Sequence, residues 1–383
     1  MSFRNSFFTL LAAFVYLPCV FMAKHDYALP SRNVSLTAVR KGCTFSDVGY
    51  HPVLDEPLIL ASGIILDVGA NDGSNLARPS VHTEGARVIS FEPQVSLAHS
   101  LFEKVKANAI GNKKRPIDDR PPTYMLEIKP GSLPLPNHLS AAAEALAGPH
   151  GGIVVVNGAA SDTVSAMPLY ASPKTGTKMV SLAPGNMPKY QKGGQRNTLD
   201  PERGIAQKIG STAVFPLDAL FEGDSSLRRF NVSLLKIDAQ GYEAHIIRGS
   251  KGIISTRINA IQLEFCPKMI HEASKAAATA GQTTQNAHHA AVELLDMMRL
   301  AGKACYQISP QAKGMKTQDL DHAQTFEDFV DAHFGPGCPV LGCATELLCL
   351  PARSAALHGG HEDIEAVETV MRVAGCSRNN GKL

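Results

Sequence analysis

Two carboxylates stand where short apolar runs end. The first is Asp67, in Ile64-Ile65-Leu66-Asp67-Val68-Gly69-Ala70-Asn71-Asp72-Gly73, an apolar run that enters a glycine-bearing turn. Glycines of this kind let a backbone pass close to a ligand. A carboxylate at a strand end can accept from a ligand's ammonium or hydroxyl group. The second is Glu92, in Val88-Ile89-Ser90-Phe91-Glu92-Pro93. It follows the first by about 20 to 25 residues, the interval at which a nucleotide-binding fold sets an acid to hold both ribose hydroxyls. Each charge-assisted hydrogen bond of that type contributes about 1.5–3 kcal/mol. A structural turn with chance carboxylates explains the first motif alone; the second acid at that spacing favours a site.

The glycine pattern G-x-G-x-x-G, which seats a pyrophosphate on a helix N-terminus, is absent. An acid leads the turn and Asp72 lies within it, which would repel a diphosphate. A cationic sulfonium cofactor carrying an amino acid group tolerates both acids. A third element is Leu234-Leu235-Lys236-Ile237-Asp238-Ala239-Gln240-Gly241-Tyr242-Glu243. Lys236 and Asp238 alternate with apolar residues, so on a strand they share one face. A lysine in an apolar strand costs several kcal/mol unless a carboxylate pairs with it. Both a catalytic constellation and a buried structural ion pair satisfy that requirement.

The elements that must carry these residues follow from apolar runs separated by helical patterns. The runs are 63–68, 87–92, 152–157, 232–238, 260–265, 304–308 and 346–350. Between them, residues 97–107 place Leu101, Phe102 and Val105 on one stripe, and residues 290–300 do the same with Leu294, Leu295 and Met298. The alternation predicts an α/β fold with a seven-stranded, mostly parallel, doubly wound sheet of Rossmann-like type. Asp238 then falls at the carboxyl end of a central strand, where open α/β sheets bind ligands. Residues 109–150, with clustered Pro, Lys and Arg and then Ala, read as a surface insertion. Residues 172–212, rich in Gly, Pro, Gln and Lys, read as a second insertion: a site cover or a solvated loop. Its lysines and arginines would favour an anionic acceptor if they border the site.

The ordered set ILDVGANDG, VISFEP, VVNGAASD, LKIDAQGYEAHIIRG, IQLEF and LLCLP resembles the FkbM-type methyltransferases, a branch of the class I S-adenosylmethionine-dependent enzymes. The likeness spans roughly residues 60 to 351 and leaves both insertions unmatched. It implies a last strand that is antiparallel, S-adenosylmethionine as cofactor, and methyl transfer, usually to oxygen. Carried over by position, it puts Asp67, Gly69, Asn71 and Gly73 around the methionine part of the cofactor, Glu92 at the ribose and Asp162 near the adenine. Lys236, Asp238 and Glu243 match the K-x-D-x-x-G-x-E signature, with Gln240 where many relatives have glutamate. Transfer to an alcohol needs a base for its proton. Asp238 is the first candidate, Glu264 the second and His271 the third.

Composition bounds the setting. A net charge of +2 gives no global field to recruit nucleic acid. Arg4, the apolar run from Phe7 to Ala23, and Lys24-His25 form the layout of a secretory signal or an uncleaved signal-anchor, so residues 1–30 are read as a leader. Residues 31–57 read as a lead-in, 58–351 as the methyltransferase-like domain and 352–383 as a tail. The sequon Asn33-Val34-Ser35 suits a lumenal chain, and so does the cysteine content of eight. Cys338, Cys343, Cys349 and Cys376 lack Cys-x-x-Cys spacing, so disulfides are expected over a metal site. The acceptor class expected from this setting is a glycan or small hydroxylated metabolite. The competing classes are a non-catalytic binding protein of the same fold and a nicotinamide dehydrogenase, the latter opposed by the missing glycines.

Overall fold

The computed structural model describes residues 63–71, 73, 86–111, 121–172, 176–182, 207–223, 225–279, 287–307, 330 and 345–351. The leader, the lead-in and the tail lie outside the described residues. Eight strands form the main sheet: β1 (Ile64–Val68), β2 (Arg87–Glu92), β3 (Thr123–Glu127), β4 (Gly152–Asn157), β9 (Val232–Ile237), β10 (Ile258–Phe265), β11 (Lys303–Gln307) and β12 (Thr345–Pro351). Their order is β11-β12-β10-β9-β1-β2-β4-β3. The order reverses beside β1, which lies between β9 and β2. The last strand, β12, runs antiparallel to both neighbours, and the other pairings are parallel.

The central strands are buried on both faces, which is why they read as continuous apolar runs. One face presents Leu66, Ile89, Val154, Leu235 and Leu263 to a large core. The opposite face presents Ile65, Val88, Val155 and Leu234. Helix α1 (Val95–Gly111) covers that second face with Ala98, Leu101 and Val105. On the first face lie α2 (Pro136–Ala147), α3 (Asp218–Phe221), α4 (Glu243–Arg248), α5 (Lys251–Thr256), α6 (Pro267–Thr279) and α7 (Ala287–Leu300). Leu294, Leu295 and Met298 of α7 are all buried, and each such side chain contributes about 1.5–3 kcal/mol relative to exposure.

Two expectations are corrected. The sheet has eight strands rather than seven, because residues 123–147 of the first expected insertion supply edge strand β3 and helix α2. An edge strand pairs on one side only, and β3 buries just Leu126 fully, so it shows no apolar run. Helix α2 opens on Pro136, whose missing N–H costs nothing in the first turn. It packs through Leu139, Ala142, Ala143 and Leu146, where small alanines disguise the 3.6-residue period. The second expected insertion contains β7 (Gly176–Ser181) and the start of β8 (Gln207–Phe215). With β5 (Ala159–Ala160) and β6 (Ser165–Ser172) these form a four-stranded sheet, β5-β8-β6-β7. Most of that segment's cationic residues lie outside the described residues.

Cys305 and Cys349 face each other on β11 and β12 and are joined by a disulfide. Cys338, Cys343 and Cys376 lie outside the described residues. Among the described residues no helix is long and apolar enough to cross a membrane.

Candidate active site

Two turns at the carboxyl ends of β1 and β9 build the site, and each is braced by a carboxylate. After β1 the chain turns through Gly69, Asn71 and Gly73, all with positive φ (79°, 52° and 69°). The Asn71 N–H donates to Glu92 Oε2 at 2.9 Å, and the Gln94 N–H donates to Glu92 Oε1 at 2.9 Å. Glu92 therefore pins the turn while lying at the end of β2. Gly69 is required by packing. A Cβ there would come within 1.8 Å of the Asp238 carbonyl oxygen. That close approach lets the Asp238 N–H donate to the Val68 carbonyl at 3.0 Å, tying the two turns together. Gly73 is squeezed likewise, its Cβ position lying 1.9 Å from Leu101 Cδ1.

After β9 the chain turns through Gln240 and Gly241, with φ of 54° and 100°. Glu243, the first residue of α4, accepts from the Ala239 N–H at 3.0 Å and the Gly241 N–H at 3.2 Å. Among the described residues, Asn71 and Gln240 are the non-glycine residues with positive φ, and both line one cleft. Backbone held in such sparsely populated regions concentrates at functional sites.

The cleft between these turns encloses about 760 Å³, its open mouth included. Its polar lining comes from Gly69, Asn71, Glu92, Asp238, Gln240 and Ser181, and its apolar walls include Phe91, Leu97, Leu182, Tyr242 and Ile246. Among the described residues that line it, the charged groups are the carboxylates Glu92 and Asp238. Burial pushes the Glu92 carboxyl up to about 7, against the opposing pull of the two backbone N–H groups. Burial, and then the charge of Asp162, keeps the Tyr242 phenol protonated well above its ordinary range. Tyr242 is buried, and among the described residues its hydroxyl has no hydrogen-bond partner. No sequence pattern singled it out, because an aromatic residue at that spacing is indistinguishable from core.

The structure sorts the residues expected from sequence. Gly69, Asn71, Glu92 and Asp238 meet at the cleft. Gly73 packs against α1 instead. Asp67 and Lys236 lie beneath the cleft floor, where Lys236 Nζ donates to Asp67 Oδ1 at 2.9 Å. This supplies the carboxylate partner that the apolar strand demanded. Burial works to remove the lysine's proton, but Asp67 and then Asp238 outweigh it and hold its pKa above the ordinary value. Lys236 is thus a buried cation paired with Asp67, and it is not among the residues that line the cleft.

Asp162 is also withdrawn from the cleft. Its carboxylate accepts from Arg248 Nε at 2.9 Å and lies 3.1 Å from His245 Nδ1. Burial opposes ionisation there, yet His245 and Arg248 hold the carboxyl well below its usual range. Glu264 stands beside Asp238, on β10 next to β9, and the Gln240 amide donates to both carboxyls. His271 lies on α6, 3.6 Å from Glu272, away from the cleft.

With that geometry established, the comparisons with known proteins are decisive at the level of family. The methyltransferase FkbM domain matches residues 67–303. The chain belongs to the FkbM methyltransferase family. The match begins at Asp67 and takes in both braced turns. Among solved structures, the chain is similar to the crystal structure of methyltransferase FkbM from Methylobacillus flagellatus KT. The identity is 14% and the TM-score 0.26, over 54% of this chain and 33% of that one. This chain therefore spans about a third of that protein's length. No curated protein matches it.

Proposed function

We propose that this FkbM-family protein is an S-adenosylmethionine-dependent O-methyltransferase acting on a hydroxyl of a glycan or small metabolite. The observation that carries the reading is the pair Glu92 and Asp238, two carboxylates opening onto one cleft at the ends of neighbouring β2, β1 and β9. A cofactor bearing positive charge and ribose hydroxyls fits that lining: Glu92 would accept from the ribose, with Gly69 and Asn71 beside it. When bound, the cofactor supplies a methyl group on a sulfonium sulfur.

Asp238 would take the acceptor's hydroxyl proton as the C–O bond forms and the methyl carbon's bond to sulfur breaks, the service a positioned base provides in an alcohol substitution. Gln240 Nε2, 3.0 Å from Asp238 Oδ1, orients that carboxylate. Phe91, Leu97, Leu182 and Ile246 exclude water, which favours a reaction whose charge diminishes in the transition state. Glu92 must be ionised to accept from two hydroxyls, so cofactor binding draws a proton from it below about pH 7.

The test is calorimetric titration with S-adenosylmethionine, S-adenosylhomocysteine and NAD, followed by methyl transfer to glycoside and alcohol panels. Binding of the first two alone is expected. Asp238→Asn should lower turnover by about 10²–10⁴-fold while leaving cofactor affinity near that of the parent. Binding of NAD alone, or full activity in Asp238→Asn, would overturn the proposal.

A secretory location belongs to the same proposal. It is supported by Arg4 with the apolar run 7–23 and by the Cys305–Cys349 disulfide, which persists in oxidising compartments. The N-terminal segment would act as a cleaved signal or as a membrane anchor. Fractionation of the full chain and its apparent mass after deglycosylation distinguish these.

A further inference from the structure

Glu264 has surroundings that its reading as an alternative base does not use. It lies near the end of β10, and the pairing of Gln262 with Lys236 and of Leu263 with Ile237 brings it beside Asp238. One amide, Gln240 Nε2, is 3.0 Å from Asp238 Oδ1 and 3.4 Å from Glu264 Oε2. That one amide thus joins the two carboxyl groups.

Among the described residues, three carboxylates act on Glu264. Asp238 follows β9, Glu243 comes from α4, and Glu346 stands opposite on β12. The Cys266 thiol one position beyond is pushed up to about 12 by burial and carries no charge at neutral pH. Lys236 is paired with Asp67, and its charge also acts on Asp238 and Glu346. Two ionised carboxylates sharing one neutral amide would repel each other, whereas a carboxylic acid beside a carboxylate makes a strong hydrogen bond.

We propose that Glu264 is a positioning residue: its carboxyl keeps its proton and donates it to Asp238, so that Asp238 alone carries the charge and stays aimed into the cleft. This rests on the reading of Asp238 as base. In this arrangement Glu264 donates to Asp238, and the Gln240 amide donates to Asp238 and to the other oxygen of Glu264. The protonation is consistent with burial, followed by the charges of Asp238 and Glu243, pushing Glu264 up to about 9. Glu92 and Glu243 sit near 7, so Glu264 is the carboxyl of this group that titrates last. Carboxylates with distinct roles set by distinct environments are the general pattern of acid–base sites.

The experiment compares the full-length wild type with Glu264→Gln and Glu264→Ala. Glutamine keeps a neutral donor of the same length, so Glu264→Gln should retain kcat within about threefold, whereas Glu264→Ala should lose about 10-fold or more, both with unchanged cofactor affinity. Wild-type kcat should fall above about pH 9 as the donor ionises, and Glu264→Gln should lack that falling limb. An activity-independent readout is infrared difference spectroscopy between about pH 8 and about pH 10, where one protonated-carboxyl carbonyl band should disappear in wild type and be absent from Glu264→Gln. An inactive Glu264→Gln, an unaltered falling limb, or no such band would overturn the proposal. A band that behaves as expected in a protein that methylates nothing would instead sink the O-methyltransferase reading and leave the proton on Glu264 standing.

Discussion

Lys236 Nζ stands 2.9 Å from Asp67 Oδ1 across the neighbouring strands β9 and β1, with both side chains almost wholly excluded from water. The two residues are 169 positions apart in the chain. They are direct partners in the strand register, so the pair joins the turn that carries Gly69 to the turn that carries Asp238. It is a fastening under the site.

Removing one partner leaves an uncompensated buried charge. Asp67→Asn or Lys236→Met should each lower unfolding free energy by about 3–5 kcal/mol. The double replacement Asp67→Asn/Lys236→Met should lose clearly less than the two single losses added together. Urea unfolding of the three variants measures this, and additive losses would remove the pair from the account.

Gly69 admits no side chain. At φ 79° a Cβ meets the Asp238 carbonyl oxygen at 1.8 Å, and a backbone oxygen cannot swing aside. Gly69→Ala should cost about 1–3 kcal/mol from its backbone conformation alone, with the steric overlap added. Because the displaced atom belongs to Asp238, turnover should fall alongside cofactor affinity. A variant with parental melting temperature and kcat would refute this.

Asp162 supports the fold through Arg248 and His245, and does not meet the cleft. Asp162→Asn should destabilise the chain by about 1–3 kcal/mol while changing the S-adenosylmethionine dissociation constant less than about twofold. Its folded carboxyl titrates below the ordinary 3.8, so its stabilisation is present above that value and drains away as pH falls beneath it. A large loss of cofactor affinity without destabilisation would return Asp162 to the cofactor site.

The raised carboxyls act in the opposite direction. Glu92 and Glu243 move from 4.5 to about 7, and Glu264 to about 9. The folded chain therefore holds more protons than the unfolded chain above 4.5. Stability that is fully present below that value falls as pH rises through about 7 and then about 9. Calorimetric melting of the ligand-free protein should give a higher midpoint at about pH 5 than at about pH 8. Glu92→Gln should flatten part of the decline between 4.5 and about 7. Cofactor affinity should run the other way and strengthen across the same interval.

The disulfide between Cys305 and Cys349 closes a segment of 44 residues. Replacing both cysteines with serine should lower stability by about 2–4 kcal/mol. Peptide mapping without reductant should recover the two cysteine peptides as one linked mass, and their separate recovery would contradict the pairing.

Much of the sheet was legible from residue order, because strands buried on both faces must be continuous apolar runs. Seven of them were located within one or two residues, and their spacing implied the parallel arrangement. Asp67, Glu92 and Asp238 were marked by their places at strand ends, where chain geometry alone puts them at one edge of the sheet. Strand β3 escaped because an edge strand needs no apolar run, and α2 because its core face is half alanine.

Partnership is a property of strand register and helix docking, which no local pattern records. The demand that Lys236 have a carboxylate was readable in its own strand, but that the partner is Asp67 depends on how β9 lies against β1. The same holds for Asp162, taken up by two residues of α4, and for Gly69, whose missing side chain makes room for the Asp238 backbone. It holds for Glu264 too. Its carboxyl is like any other in the sequence, and only the tertiary structure crowds Asp238, Glu243 and Glu346 around it, the arrangement on which its proposed proton rests.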